Sequence, residues 1–255
     1  MRVLRRGVVA MALTFGLASG AGAALTDQSD GTVLDTSTNL LWLKDANYAD
    51  TELDAARITA IIASVVSVAG HPLVAGDFGA STGRMTWWGA MAWAQDLTFA
   101  GSSDWRLPTV TDTSSAGCDF SYAGGTDCGY NVDPATGELA KLWYVSLGNL
   151  AFCPPGDATC AGGPQTGWGL TNTGPFANAQ SNVYWSGTEY APNPAGAWNF
   201  GADGGYQGAN QKGNPFYAWA VRPADAGVVP EPGTLGLAAL ALAGLAVGGR
   251  GRRRR

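Results

Sequence analysis

The chain has 255 residues, of which 14% are charged, and it contains 37 glycines and 10 tryptophans. Its formal net charge is −5, but eight of the fifteen basic residues lie within the first six and the last six positions. Without both terminal segments, and with Glu231 counted in the C-terminal one, the remaining body keeps seven basic and nineteen acidic residues, a net charge of −12. A body this acidic repels phosphate and sulfate polymers, so we expect no nucleic-acid partner.

The N-terminus has the three parts of a secretory signal peptide, which we assign to residues 1–23. A positive segment with Arg2, Arg5 and Arg6 precedes the 11-residue apolar stretch Val8–Ala18. The small residues Ala21-Gly22-Ala23 then provide a cleavage site of the small-x-small type. The apolar stretch is shorter than the roughly 20 residues needed to cross a bilayer. We therefore predict export of the chain.

Residues 25–224 are long enough for one domain with a sizeable core. Two strands, 31–35 and 40–43, are predicted around a turn at 36–39. Asp50 or Thr51 is predicted to cap a helix that runs to about Ala69. A second helix is predicted to begin at the cap Thr86, because apolar residues recur after it at helical spacing.

The second half of the body is predicted to be richer in strands. A glycine- and cysteine-rich loop from about 114 to 131 is followed by a short helix, 138–147. Strands are then predicted around 183–186, 197–200 and 217–223, with a glycine-rich turn at 201–205. Early helices and late antiparallel strands predict an α+β fold with two or three helices and a mostly antiparallel sheet.

The four cysteines form two close pairs in the sequence, Cys118 with Cys128 and Cys153 with Cys160. An even number of cysteines in an exported protein indicates disulfides, and three connectivities are possible. We favour the two local bonds, because each would close a glycine-rich loop. Spacings of ten and seven residues do not match the Cys-x-x-Cys pattern of zinc or thioredoxin-like sites.

Residues with catalytic or binding chemistry are few, and their patterns favour structural roles. The sole histidine, His71, has no neighbouring nucleophile motif and is interpreted as a solvated loop residue. Glu189 is the best candidate for a carboxylate of a glycoside hydrolase, although a surface role is favoured. The late tryptophans are interpreted as core residues, with ligand stacking as the alternative: Trp185, Trp198 and Trp219.

Two loops hold oxygen donors that calcium prefers, but neither has the spacing of an EF-hand. We interpret these side chains as turn residues, with calcium binding as the alternative. The first group is Asp127, Asn131 and Asp133, and the second is Asp203 with Asn199. No other metal or cofactor is predicted.

Five motifs, in order along the body, resemble the Lcl C-terminal domain-like family: 31–36 with 41–46, Thr86-Trp87, the segment Asp104-Trp105-Arg106-Leu107-Pro108-Thr109, Tyr184-Trp185-Ser186-Gly187-Thr188, and 218–223. The resemblance spans about 190 residues. It implies a C-type-lectin-like fold with long loops and a secreted or surface binding module. One branch of this family binds sulfated polysaccharides, but the present body lacks the collagen-like stalk and the basic surface of that branch.

The C-terminal segment 229–255 resembles a PEP-CTERM sorting signal in the order of its features. Pro230-Glu231-Pro232 is followed by the 13-residue apolar stretch Leu235–Val247 and a final arginine cluster. The arginines are expected to stay on the cytoplasmic side, so the segment would anchor the chain in the membrane transiently. The resemblance implies processing by an exosortase in an envelope where exopolysaccharide is made.

Together these features predict a non-catalytic, exported module of the cell surface or extracellular matrix, with a polysaccharide ligand. One alternative is a purely structural biofilm component without a specific ligand. The other is a glycoside hydrolase with a carboxylate pair.

Overall fold

The computed structural model describes residues 24–79, 81–114, 117–118 and 127–224. The signal peptide and the C-terminal sorting segment, including Pro230, Glu231 and Pro232, lie outside the described residues. Within the described part, no helix is long and apolar enough to cross a membrane.

The first half of the body combines a strand hairpin with three helices. The elements up to residue 96 are β1 (Leu25–Asp27), β2 (Thr32–Asp35), β3 (Leu40–Leu43), α1 (Tyr48–Glu52), α2 (Ala55–Val65), β4 (Ser67–Val68), β5 (His71–Pro72), β6 (Phe78–Gly79), β7 (Arg84–Met85) and α3 (Trp87–Asp96).

The second half begins with an irregular region and ends in strands. Its elements are β8 (Gly129–Tyr130), α4 (Glu138–Lys141) with a continuing π-helical turn (Leu142–Ser146), β9 (Val183–Glu189), β10 (Gly196–Gly201), β11 (Tyr206–Gln211), β12 (Phe216–Tyr217) and β13 (Val221–Pro223). This order confirms the predicted α+β class.

The described strands form three sheets. A four-stranded antiparallel sheet has the order β1-β2-β3-β13, so the last strand pairs with the first hairpin. A seven-stranded sheet has the order β6-β7-β12-β9-β10-β11-β8 and is antiparallel except where β12 meets β9. The small pair β4-β5 stands apart. The sheets are thus mostly antiparallel, as predicted.

The predicted first helix differs from the observed one at both ends. Asp50 lies inside α1, and the longer α2 is capped instead by Asp54, whose carboxylate accepts a hydrogen bond from the Arg57 N–H at 2.7 Å. The helix ends at Val65 rather than near Ala69, because the next residues form the β4-β5 hairpin. Ala69 and Gly70 both have positive φ, as the tight turn of such a hairpin requires.

The second predicted helix is confirmed with its cap. The Thr86 hydroxyl accepts from the Gly89 N–H at 3.2 Å, and it donates to the Asp77 carboxylate at 2.8 Å. The same carboxylate of Asp77 lies 3.1 Å from the ring nitrogen Nε2 of His71. His71 also stacks on Trp88, with ring centroids 4.0 Å apart. The histidine is therefore held by its neighbours rather than freely solvated as predicted.

The three late tryptophans are buried, which confirms the core interpretation and rules out the ligand-stacking alternative for them. Trp185, Trp198 and Trp219 are exposed by 0%, 0% and 4%. Each indole N–H donates within the protein, to Met85 O, Asp112 Oδ2 and Leu43 O respectively. Buried rings with satisfied donors offer no face to a ligand.

The segment before Pro108 is anchored by main-chain pairing and by an ion pair. Arg106 pairs with Val221 of β13 through both main-chain bonds, at 2.9 and 2.8 Å. Its neighbours Trp105 and Leu107 are buried, as predicted. The Arg106 guanidinium binds both carboxylate oxygens of Glu138 at 2.7 and 2.8 Å, and Glu138 also accepts from the Thr109 N–H. This bidentate pair links the segment to α4.

We predict that Glu138→Gln lowers the free energy of unfolding by about 1–3 kcal/mol, because the charge-assisted bonds to Arg106 are lost. For a domain of this size, each kcal/mol lowers Tm by roughly 2–4 °C, which circular dichroism measures. The control Lys44→Gln removes a more exposed ion pair with Asp27 and should change stability by less than about 1 kcal/mol. Equal melting temperatures for the two variants would contradict the anchoring role of Glu138.

Candidate functional site

An aromatic pocket lies at one end of the seven-stranded sheet and has a volume of about 390 Å³. This volume is in the range of small-ligand sites in proteins. The pocket is built from residues of β8, β9, β10 and β11 and of the loops next to them. Its lining residues are Tyr130, Phe152, Trp168, Val183, Asn199, Gly201, Asp203, Gly204, Tyr206 and Asn210.

Four aromatic rings form a continuous row along the pocket. Trp168 meets Phe152 edge to face, with ring centroids 4.8 Å apart. Phe152 is 5.9 Å from Tyr130, which meets Tyr206 edge to face at 4.9 Å. Trp168 is 39% exposed, an unusual fraction for a tryptophan held by ring contacts. The row therefore offers an aromatic surface that solvent and ligands can reach.

Strand register and main-chain bonds place the rings side by side. Tyr130 of β8 is paired directly with Tyr206 of β11, so their side chains lie on the same face of the sheet. The Phe152 N–H donates to the Gly204 carbonyl at 2.9 Å, which brings its loop onto the turn after β10. Gly205 in this turn has a φ of +76°, and an added Cβ would lie 2.5 Å from the Trp143 ring. Only glycine fits at this position.

Both predicted disulfides are present, and both adjoin the aromatic row. The bonds are Cys118–Cys128 and Cys153–Cys160, which confirms the two local connectivities. The Tyr206 hydroxyl lies 3.1 Å from the sulfur of Cys118. Phe152 directly precedes Cys153, which is fully buried. The two disulfides therefore restrain the surroundings of two of the four rings, Tyr206 and Phe152.

The polar groups of the pocket are two amides and one carboxylate. Asn199 on β10 is buried, whereas Asn210 and Asp203 are exposed. Asp203 is the only charged residue among those that line the pocket, and none of them is basic. Burial raises the pKa of the Tyr130 phenol, and the negative charge of Asp203 raises it further. Burial and the neighbouring Tyr130 also raise the pKa of Tyr206, so both phenols stay neutral near pH 7.

The pocket contains one of the two loop groups for which calcium was the alternative. Asp203 and Asn199 both line it, but the described residues contain no cluster of three or more His, Cys, Asp or Glu side chains able to hold a metal ion. In the other group, Asp133 accepts from the Ala135 N–H at 2.9 Å, and the Asn131 amide donates to the Cys153 carbonyl. Asp133 therefore serves as a turn group, as the favoured interpretation predicted, whereas Asn131 makes a tertiary contact with the segment at Cys153.

Asp127 of the first group is fully buried. One of its carboxylate oxygens accepts from the main-chain N–H and the hydroxyl of Thr113, and the other has no hydrogen-bond partner among the described residues. Glu189, the predicted carboxylate of a hydrolase, lies outside the pocket and forms an ion pair with Lys212. Neither acid therefore adds to the pocket.

Sequence reasoning missed the four rings of the pocket. Each of them stands next to a glycine or a cysteine in the chain: Gly129-Tyr130, Phe152-Cys153, Gly167-Trp168-Gly169 and Gly205-Tyr206. Aromatic residues next to glycines and cysteines, outside the apolar patterns of the predicted elements, are poorly placed for a core, and this signal could have indicated a surface site. The tryptophans predicted to lie in strands, which were the candidates instead, are buried in the core: Trp185, Trp198 and Trp219.

Comparison with known proteins identifies two regions of the chain. The Lcl C-terminal domain family matches residues 31–222, and the PEP-CTERM protein-sorting motif matches residues 228–255. No curated protein and no solved structure matches the chain significantly. The sorting motif supports an exported protein that an exosortase processes. Because the first match covers most of the length, the chain belongs to the Lcl C-terminal domain family and carries a C-terminal PEP-CTERM sorting motif.

Proposed function

We propose that the body is a non-catalytic, lectin-like module that binds a polysaccharide of the cell envelope or extracellular matrix in the aromatic pocket. The observation that carries this proposal is the row of Trp168, Phe152, Tyr130 and Tyr206 beside two amides. Aromatic rings pack against the apolar faces of sugars, and amide groups bond to their hydroxyls. The sorting motif would deliver this module to a surface rich in such polymers.

A C-type-lectin-like architecture is part of the proposal. The first and last strands of the body lie in one sheet, helices α2 and α3 precede the long strands, and the two disulfides adjoin the segments that line the pocket. Loops supported by a rigid scaffold are where binding sites commonly lie.

The absence of catalysis also belongs to the proposal. Glycoside hydrolysis commonly uses two carboxyl groups about 5–9.5 Å apart. Among the residues that line the pocket, Asp203 is the only acid. A single exposed carboxylate beside neutral phenols provides no paired acid and base.

We predict that Trp168→Ala weakens binding to a positive glycan at least about tenfold, because the most exposed ring of the row is removed. The exported, oxidised protein would be screened on a glycan array with and without calcium, and its affinity measured by calorimetry. Trp168→Phe should keep most of the binding. Val74→Ala, which truncates an exposed apolar residue outside the pocket, serves as the matched control.

Unchanged binding by Trp168→Ala would place the glycan site elsewhere. A blank array would exclude the lectin-like role and favour a purely structural component of the matrix. Loss of binding in the presence of a chelator would show that a metal ion is required.

The tail gives a separate prediction. Mass spectrometry of the mature exported protein should find no peptide beyond about Pro232, because the exosortase removes the apolar segment and the arginines. Before processing, the same segment would hold the chain in the membrane. Deleting Pro230–Pro232 should leave the arginine-rich end attached. An intact C-terminus on the wild-type mature protein would contradict processing of the tail.

A further inference from the structure

The charge of the aromatic pocket limits the sugars that it can select. We infer that the pocket prefers amino sugars with a free ammonium group over neutral, N-acetylated or anionic sugars. This inference rests on the proposed glycan binding and names the class of ligand. It depends on the placement of Asp203 beside the aromatic row and on the absence of a basic side chain among the lining residues.

Even without Asp203, the aromatic row favours binding of a cation. The faces of Tyr, Phe and Trp rings carry partial negative charge, which attracts an ammonium group within about 6 Å of the ring centre. In the pocket this surface is extended by edge-to-face contacts from Trp168 to Phe152 and from Tyr130 to Tyr206. An ammonium group there would meet ring faces on one side and the Asp203 carboxylate on another.

Asp203 is adjacent to the rings in the turn. It directly precedes Gly204, where an added Cβ would lie 3.5–3.9 Å from the side chains of Tyr130, Phe152 and Trp168. Burial raises the pKa of the Tyr130 phenol, and the negative charge of Asp203 contributes to the same shift. Asp203 is exposed, and its turn is fixed by bonds from the N–H groups of Gly204 and Gly205 to the Gly201 carbonyl. A carboxylate on a fixed turn retains its position when a ligand arrives.

The rest of the body provides little positive charge to attract an anionic sugar. Five of the seven basic side chains between residues 24 and 224 form ion pairs with carboxylates. Lys44 pairs with Asp27, Arg57 with both Glu52 and Asp96, Arg106 with Glu138, Lys212 with Glu189, and Arg222 with Asp104. The net negative field of the body therefore raises the local concentration of cationic ligands and repels sulfated or uronic polymers.

The amides add the contacts that a sugar needs besides its charge. Asn199 is buried in β10, and among the described residues the one hydrogen bond of its amide group is a long contact of 3.5 Å with the Ala197 carbonyl. Asn210 lies on the neighbouring strand β11. Two amides at one edge of the pocket are suited to sugar hydroxyls, while the carboxylate takes the ammonium group.

The test compares two matched ligands, a β-1,4-linked glucosamine hexasaccharide and its fully N-acetylated counterpart. Calorimetry at low salt with the exported protein should show roughly tenfold tighter binding of the free amine. Asp203→Asn, which keeps the shape of the side chain, should remove most of this preference, because the carboxylate is the charged group that faces the ammonium group. Asp50→Asn removes an exposed charge outside the pocket and is the matched control.

Each outcome decides the inference. Equal affinities for the two ligands in the wild type, or a preference of undiminished size in Asp203→Asn, would overturn the selection of ammonium sugars by this carboxylate. In either case, loss of binding in Trp168→Ala would leave the proposed glycan site standing. If no ligand on the array binds, both the inference and the proposed function fail. Weakening of the preference in 0.5 M salt would support its electrostatic origin.

Discussion

The closing strand β13 and the tryptophan before it hold the two main sheets together. β13 pairs with β3 of the first hairpin, 178 positions or more earlier in the chain, and with the segment at Arg106. The Trp219 ring packs on Trp42 of the four-stranded sheet and on Tyr184 of the seven-stranded sheet, while its indole N–H donates to the Leu43 carbonyl. A single buried residue thus couples the start, the middle and the end of the body.

The packing of Trp219 between the two main sheets explains how a chain with many loops forms a defined pocket. The tryptophan-rich core fixes the strands β9, β10 and β11 as a rigid platform, because close-packed aromatic rings leave little freedom to the backbone. The loops then extend from one end of that platform. Two of them are closed by disulfides next to Tyr206 and Phe152, so the rings are ordered without being buried. Such rigid support lowers the cost of ordering a binding surface, which is what the proposed site requires.

The sorting motif and the pocket suggest complementary roles for the two regions of the chain. An exported protein that an exosortase processes reaches the cell envelope or the extracellular space. Ion pairs occupy several basic residues of the body, so the exposed acids set the local electrostatic field. The proposed site, with a carboxylate beside aromatic rings, fits this charge balance better than a site for sulfated polymers would.

Local patterns predicted the elements whose signals lie within a few residues of one another. The Thr86 cap, the strands at 32–35 and 40–43, the helix after Gly137 and the two short-range disulfides are of this kind, because caps, turns and short loops act locally. The break between α1 and α2 was not predicted, since Leu53 continues the apolar pattern although its backbone is extended. Propensity alone does not detect such a break, because tertiary packing overrides it.

The sequence by itself determined that the chain is exported, oxidised, acidic and of α+β class, since these properties follow from composition, terminal motifs and periodicity. Only the tertiary structure decided which aromatic residues form the core and which form the pocket. Trp185 and Trp168 are the same residue type, but strand pairing buries one and leaves the other 39% exposed. The pocket brings together residues 130, 152, 168 and 206, which are far apart in the sequence. Their contacts depend on the pairing of strands in the assembled sheet rather than on any local pattern.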